Sequence, residues 1–138
     1  MVKTIVDAGP LAALFRTADQ NHQWALEIFG SLPTPFYTTE PAITEAAYFL
    51  VAAGMSARPL LDRIRNGILR IPFQLTTDAG AVSVLMDKYG SRMDLADATL
   101  VRLSELFDNC QVLTVDRQDF SIYRRHGRLV IPLLTPPD

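Results

Sequence analysis

The chain has 138 residues, of which 49% are hydrophobic and 20% are charged, so its composition excludes a disordered protein and fits one domain with a single core. The formal net charge of −2 and the sequence pI of about 5.6 exclude nucleic-acid binding through overall positive charge. The longest apolar run, residues 46–53, is too short to span a membrane, and the amino terminus has no long apolar segment, so we expect a cytoplasmic protein.

Strand and helix patterns alternate through the first half of the chain. Residues 2–6 are a short β-branched run that predicts a buried strand, and Asp7, Gly9 and Pro10 end it. The next elements follow from apolar spacing, capping residues and the positions of Pro and Gly. They are helices over 11–18, 22–32, 41–53 and 56–66, and strands over 36–39 and 69–75.

The second half continues the alternation. Thr76 or Thr77 is expected to cap a helix reaching about residue 89, and apolar spacing predicts a long helix over 93–107. Strands are predicted over 112–115 and 129–134, whereas 122–127 fits either a helix or a loop. This alternation indicates an α/β protein, a three-layer α/β/α sandwich on a mostly parallel sheet, with one domain over 1–138. The single cysteine, Cys110, is expected in the core.

Two aspartates follow predicted strands. Asp7 comes directly after the apolar run that opens the chain, and Asp116 comes directly after residues 112–115. Ligands of an open parallel sheet gather beyond the carboxyl ends of its strands, so both carboxylates are expected at one edge of the sheet. Each aspartate alone also fits the cap of the following helix, so the pair carries more weight than either member.

Three further acids lie near predicted helix starts. Asp94 and Asp97 are three residues apart and therefore share a helical face. Asp97 has small and apolar neighbours and no basic residue one turn away, which indicates partial burial without a charged partner. Glu45 is the only charge in residues 41–57. The helix dipole also favours acids at these places, so each has a purely structural alternative.

Converging carboxylates indicate a metal site. Acids held close together repel one another and raise one another's pKa unless a divalent cation lies between them. Oxygen ligands without a cluster of His or Cys favour Mg²⁺, with Mn²⁺ as a substitute, over zinc. Such an ion orients and deprotonates water and neutralises charge on a phosphodiester.

The chain resembles the PIN-domain ribonucleases, and in layout the VapC toxins of toxin–antitoxin modules, nearly from end to end. The stretches that carry the resemblance are IVDAGPL at 5–11, TE at 44–45, MDLADA at 93–98 and LTVDRQDF at 113–120. The resemblance implies that Asp7, Glu45, Asp97 and Asp116 are the metal-binding catalytic acids. It also implies that Thr114 is a supporting hydroxyl beside Asp116.

Two more acids lie near these motifs, and one of them is expected to join the metal site. Asp94 is favoured over Asp119, because Asp119 is explained equally well as a cap or as a residue whose hydrogen bonds stabilise the loop before Phe120. Arg117, Arg124 and Arg125 are candidate RNA contacts, and Tyr123 is a candidate stacking group, although a solvated surface is the commoner explanation of such a basic cluster.

The resemblance implies a magnesium-dependent endoribonuclease that cuts RNA with a metal-activated water and leaves a 5′-phosphate and a 3′-hydroxyl. It also implies a homodimer, expected through the second, third and fourth helices, and a cognate antitoxin whose segment lies across the active-site groove. A PIN nuclease without an antitoxin and a non-catalytic PIN-fold binding module are the alternatives.

Two other enzyme classes also place an aspartate after the first strand. A haloacid-dehalogenase-type phosphatase requires a second aspartate two residues further on, where this chain has Gly9. A receiver domain requires adjacent acids early in the chain, and Asp7 has no acidic neighbour. Both classes are therefore disfavoured.

Overall fold

Five parallel strands form the central sheet of the computed structural model, which describes residues 1–138. The strands in chain order are β1 (Lys3–Val6), β2 (Phe36–Tyr37), β3 (Leu69–Arg70), β4 (Cys110–Leu113), β5 (Arg124–Arg125), β6 (Leu129–Val130) and β7 (Leu133–Leu134). The central sheet has the order β3-β2-β1-β4-β7, and β5 and β6 form a separate antiparallel pair. All four pairings within the central sheet are parallel.

Seven α-helices connect or follow these strands. They are α1 (Ala8–Phe15), α2 (His22–Ser31), α3 (Glu40–Ala52), α4 (Arg58–Arg65), α5 (Leu75–Tyr89), α6 (Leu95–Leu106) and α7 (Arg117–Phe120), with a short 3-10 turn at Gly90–Arg92. Pro41 lies in the first turn of α3, where its missing N–H costs no helical hydrogen bond. Gly54, just beyond α3, has a φ of +76°, the left-handed conformation that glycine adopts without steric penalty.

The two faces of the sheet are covered by different helices. Alternate residues of a strand point to opposite faces. Ile5 and Val112 accordingly belong to a core with α5 and α6, whereas Val6 and Leu113 belong to a second core with α1, α3 and α4. This arrangement agrees with the expected three-layer α/β/α sandwich on a parallel sheet. Cys110 is buried in the first core, as expected. No helix is long and apolar enough to cross a membrane.

Several boundaries differ from the sequence prediction. The first helix occupies residues 8–15 rather than 11–18, because the Asp7 carboxylate caps it directly by accepting the Ala8 N–H at 2.7 Å. The strand predicted over 69–75 is only two residues long, and α5 begins at Leu75 rather than after Thr76 or Thr77. Pro72 lies in this shortened segment and has no N–H to donate to a sheet.

The carboxyl-terminal region contains the largest difference. The single strand predicted over 129–134 is divided into β6 and β7, which pair with different partners. Pro132 lies between them, lacks an N–H, and its carbonyl accepts the Val112 N–H at 2.8 Å. Residues 122–127, which fitted helix or loop, instead contribute β5 and the turn before β6. His126 and Gly127 have φ values of +54° and +75° in that turn.

Candidate active site

The candidate site lies where the strand order reverses. From β1 the chain builds the sheet outward through β2 and β3, and then returns to the other side of β1 with β4 and β7. The carboxyl ends of β1 and β4 therefore flank a topological switch point, the usual ligand position of an open α/β sheet. Asp7 follows β1, and Thr114 and Asp116 follow β4. Gly9 allows a close approach here, because a Cβ at this residue would lie 2.6 Å from Val115 Cγ2.

Asp7 is the most deeply buried acid of the site. Its side chain accepts hydrogen bonds at both oxygens, from the Ala8 N–H at 2.7 Å and from the Thr114 hydroxyl at 2.7 Å. Burial raises the pKa of Asp7 to about 6, against the lowering effect of these hydrogen bonds. The negative charges of Asp94 and Asp116 raise its pKa further. Asp7 is therefore a buried carboxylate whose pKa responds to the charges of neighbouring acids.

Asp97 lies half-buried in the first turn of α6. The Tyr123 hydroxyl lies 2.8 Å from Asp97 Oδ2 and 3.0 Å from the Arg92 carbonyl oxygen, and both can accept from it. Burial raises the pKa of Asp97 to about 7, with further increases from the charges of Asp94 and Asp7. Burial and Asp97 also raise the pKa of the Tyr123 hydroxyl above its usual range, so this hydroxyl remains a hydrogen-bond donor.

Asp94 and Glu45 approach the same region from two helices. Asp94 caps α6, and its Oδ1 accepts the Asp97 N–H at 2.8 Å while the side chain stays exposed. Glu45 is half-buried in the second turn of α3. Burial raises the pKa of Glu45 to about 7, and the charges of Asp7 and Asp94 raise it further. The sequence-predicted acids thus affect one another electrostatically.

Asp116 and Asp119 have different environments. The Asp116 N–H donates to the Thr114 hydroxyl at 3.0 Å, and Asp116 Oδ1 accepts the Asp119 N–H at 3.0 Å. Burial raises the pKa of Asp116, and the neighbouring charges of Asp119 and Asp94 contribute to the increase. Asp119 itself forms an ion pair with Arg92 at 3.0 Å. Asp119 therefore already has a cationic partner, whereas Asp94 has none.

Five acids in this region have no basic partner. None of the six ion pairs of the chain includes a member of this set, which comprises Asp7, Glu45, Asp94, Asp97 and Asp116. We call these residues the acidic group. These carboxylates have no cationic side chain to offset their negative charges. Their oxygens are hard ligands, the type that Mg²⁺ and Mn²⁺ prefer.

The side chains of the acidic group are not arranged as a complete metal-coordination shell. No three His, Cys, Asp or Glu side chains lie close enough to hold one metal ion. Mutual repulsion favours separation of these carboxylates, and both oxygens of Asp7 already accept hydrogen bonds. Coordination of one ion by three of these acids therefore requires side-chain movement toward a common point.

A large cleft opens beside the acidic group. It has a volume of about 810 Å³ and lies between α3 on one side and the segments 73–76 and 94–96 on the other. Glu45 and Asp94 line it, together with the exposed ring of Tyr48. We call this space the Tyr48 cleft. No Lys, Arg or His lines it.

Two of the predicted RNA contacts lie near the surface but are engaged with the protein. The Arg117 guanidinium binds the Thr135 hydroxyl at 2.9 and 2.6 Å and the Asp138 carboxylate at 3.1 Å. Arg124 donates to backbone carbonyls of residues 121–123. Both side chains remain partly exposed to solvent.

The expectation that Arg125 contacts RNA is wrong. Arg125 is buried, and its guanidinium donates to the carbonyl oxygens of Ser104 and Phe107 at the end of α6. These carbonyls lack helical partners, so Arg125 satisfies the end of the helix. Tyr123 is also fully buried, which excludes the stacking role considered for it.

Sequence reasoning missed the role of Tyr123 in the site. Its hydroxyl reaches Asp97 across 26 residues of sequence, a contact that no local pattern predicts. Tyr48 was also missed, although a signal was available. It lies three residues after Glu45 on α3, and residues at this spacing share a helical face.

Comparison of the chain with protein-family models gives no match. A search of curated proteins gives no match either. The fold and the site define the chain as an α/β protein with a parallel sheet, a group of carboxylates at its switch point and a cleft beside them.

Proposed function

We propose that the chain is a PIN-like, magnesium-dependent endoribonuclease. The observation that carries this proposal is the acidic group itself, because acids from four separate elements come together without a basic partner, and burial together with their neighbours' charges raises the pKa of four of them. Helix capping accounts for Asp7, Asp94 and Asp116 one at a time, but each further like charge brought to the same region adds a repulsive cost. Binding of a divalent cation by these acids explains the arrangement, and such a cation can act on a phosphodiester.

The residues expected to hold the ion are Asp7, Asp97 and Asp116, with Glu45 and Asp94 completing the site. When bound, Mg²⁺ supplies charge neutralisation at the phosphate and lowers the pKa of a water molecule. Mn²⁺ has the same preference for oxygen ligands and is expected to substitute.

Proton transfer is assigned to Glu45. Its carboxylate lies half-buried on α3 at the edge of the cleft, and burial raises its pKa in the metal-free protein, which favours a group that takes up a proton. Water oxygen bonds to phosphorus, the water proton passes to Glu45, and the bond from phosphorus to the 3′-oxygen breaks. The departing oxygen takes a proton from solvent, leaving a 3′-hydroxyl and a 5′-phosphate.

Thr114 acts as a positioning residue in this scheme. Its hydroxyl donates to Asp7 and accepts from the Asp116 N–H, so one side chain connects two of the proposed ligands. Because Thr114 is fully buried, this connection is protected from competing water.

We further propose a VapC-type role in the cytoplasm, with an antitoxin segment across the active-site groove and a homodimer through α2, α3 and α4. Exposed Leu26 on α2 and Leu61 on α4 support a protein contact on this side. An apolar cavity of about 280 Å³ lies beside Leu26, with Phe15 and Leu60 also in its lining. A PIN nuclease without an antitoxin remains the second candidate.

The test is RNA cleavage by the purified protein. Single-stranded and structured RNA are incubated with Mg²⁺, with Mn²⁺ and with EDTA, using the wild type, Asp7→Asn and the control Asp87→Asn. Asp87 is an exposed acid of α5 outside the acidic group. Metal-dependent cleavage that Asp7→Asn abolishes and Asp87→Asn retains supports the proposal. A folded wild type that neither cuts RNA nor binds metal would favour the non-catalytic binding module instead.

A further inference from the structure

The Tyr48 cleft differs in character from the opposite side of the acidic group. It lies over the carboxyl ends of β2 and β3, because α3 follows β2 and residues 73–76 follow β3. Its lining has no basic residue and three acids, Glu40, Glu45 and Asp94. Glu45 and Asp94 belong to the acidic group proposed to bind the cation, and no side chain of the cleft itself can pair with a phosphate, so the cleft offers a nucleic-acid backbone no charge attraction of its own.

Basic residues lie on the other side. Arg117 follows β4 and binds Thr135, which comes just after the edge strand β7. Arg92 binds Asp119 in the short helix that follows β4. Each of these arginines is paired with an acid, Arg92 with Asp119 and Arg117 with Asp138, so the β4 and β7 side has cationic groups that phosphate could engage, whereas the Tyr48 cleft has none.

The inside of the Tyr48 cleft suits a flat, uncharged group. Tyr48 is 68% exposed, although an aromatic ring of this size normally gains stability by burial. Thr44, Gln74 and Thr76 supply hydrogen-bonding groups around it, and Leu95 adds apolar surface. A volume of about 810 Å³ falls within the range of small-molecule sites. Every nucleobase has a π-face that stacks on such a ring.

We propose that the Tyr48 cleft is a nucleobase subsite, in which an unpaired base adjacent to the cleaved phosphate stacks on Tyr48. The backbone then runs from the acidic group toward Arg92 and Arg117. This inference rests on the proposed function and deepens it by assigning substrate specificity to Tyr48. A paired base cannot enter the cleft without leaving its stack, so the subsite selects single-stranded segments.

The first experiment measures steady-state cleavage of a short single-stranded RNA in Mg²⁺. Tyr48→Ala removes the stacking surface and is expected to raise KM by roughly 5- to 100-fold, the effect of losing one stacked base, with little change in kcat. Tyr48→Phe keeps the ring and is expected to stay within about twofold of wild type. The control Val84→Ala, which removes an exposed apolar side chain from α5, is expected to match wild type.

The second experiment pairs the protein change with a substrate change. The same RNA is prepared with a single abasic ribose at each position in turn. In the wild type, one position beside the cut is expected to show the same loss as Tyr48→Ala. In Tyr48→Ala that position is expected to show no further loss, because the stacked partner is already absent. A structural defect of the variant would instead reduce cleavage of every substrate alike.

The outcomes separate the two proposals. Cleavage by wild type with an unchanged KM for Tyr48→Ala would overturn the nucleobase subsite and leave the ribonuclease proposal in place. Abasic and Tyr48→Ala losses that multiplied independently would overturn the subsite in the same way. A wild type that cleaves no RNA would overturn both proposals.

Discussion

The Thr114 hydroxyl donates to Asp7 Oδ2 at 2.7 Å and joins the ends of two neighbouring parallel strands that are 107 residues apart in sequence. The same hydroxyl accepts the Asp116 N–H at 3.0 Å. Both strand-end acids are therefore fixed by one buried side chain.

Thr114→Val tests this connection. The change keeps the shape of the side chain but removes both hydrogen bonds, and we expect the free energy of unfolding to fall by about 1–3 kcal/mol. RNA cleavage should fall with it, because Asp7 and Asp116 lose their shared support. Thr114→Ser retains the hydroxyl and should recover most of both properties. Urea unfolding and cleavage rates provide the measurements, and equal activity of Thr114→Val and Thr114→Ser would contradict the positioning role.

Stability should depend on pH in a direction set by the raised pKa values. Asp7 has a pKa of about 6 in the fold and 3.8 ordinarily, so the folded state binds its proton more tightly. Without divalent cations, the contribution of Asp7 to the free energy of unfolding is therefore greatest below pH 3.8. This contribution is lost as the pH rises through about 6. The loss for Asp7 is on the order of 2–3 kcal/mol.

Two comparisons check this pH dependence by thermal or urea unfolding. Asp7→Asn should flatten the decline and be more stable than wild type above about pH 7 without metal, because no charge is then buried. Added Mg²⁺ should stabilise the wild type at that pH and have a smaller effect on the variant. A wild-type stability that rises across this range in EDTA would contradict the assignment.

Tyr123→Phe should weaken metal binding more than it weakens the fold. It removes the hydroxyl that donates to Asp97 while keeping the buried ring. Loss of a group that orients a metal ligand typically costs about 10- to 100-fold in metal affinity or activity. Titration of Mg²⁺ against the cleavage rate measures this effect.

Tyr89→Phe is the matched control for that experiment. The Tyr89 ring packs edge-on against Tyr123 at 5.0 Å, and its hydroxyl accepts the Arg124 N–H instead of contacting an acid. This variant is expected to lose some stability with no change in the Mg²⁺ requirement. Equal Mg²⁺ requirements in Tyr123→Phe and Tyr89→Phe would show that the Tyr123 hydroxyl does not position Asp97.

Asp97→Asn and Asp119→Asn should differ in severity. Asp97 has no basic partner and is a proposed metal ligand, so its loss should abolish cleavage, as for Asp7→Asn. Asp119 is neutralised by Arg92 at 3.0 Å, so its loss should be milder. Cleavage assays over a range of Mg²⁺ concentrations compare the two, and complete loss in both would reverse this ranking.

The sequence was sufficient to locate the strand-end acids because their signals are local. The β-branched run before Asp7 predicts a buried strand, so Asp7 is placed at the carboxyl end of that strand. The apolar run before Asp116 places Asp116 in the same way. Asp94 and Asp97 were predictable for a similar reason, since helix capping and three-residue spacing are short-range properties.

The remaining features depend on tertiary contacts. The buried Arg125 guanidinium donates to the carbonyl oxygens of Ser104 and Phe107 at the end of α6, and the packing of α6 against β5 brings these groups together. A run of arginines is usually solvated, so sequence alone favoured the surface. The division of residues 129–134 likewise depends on which neighbouring strand each half meets.

The chemical form of the RNA ends tests the central claim most directly. A single-stranded RNA is cleaved by the wild type in Mg²⁺, with Asp7→Asn and Asp87→Asn alongside, and the new ends are identified by mass spectrometry. Hydrolysis by water at the acidic group predicts 5′-phosphate and 3′-hydroxyl ends from the wild type and Asp87→Asn, and no cut by Asp7→Asn. Ends bearing a 2′,3′-cyclic phosphate, or cleavage that persists in EDTA or in Asp7→Asn, would contradict a carboxylate–metal ribonuclease.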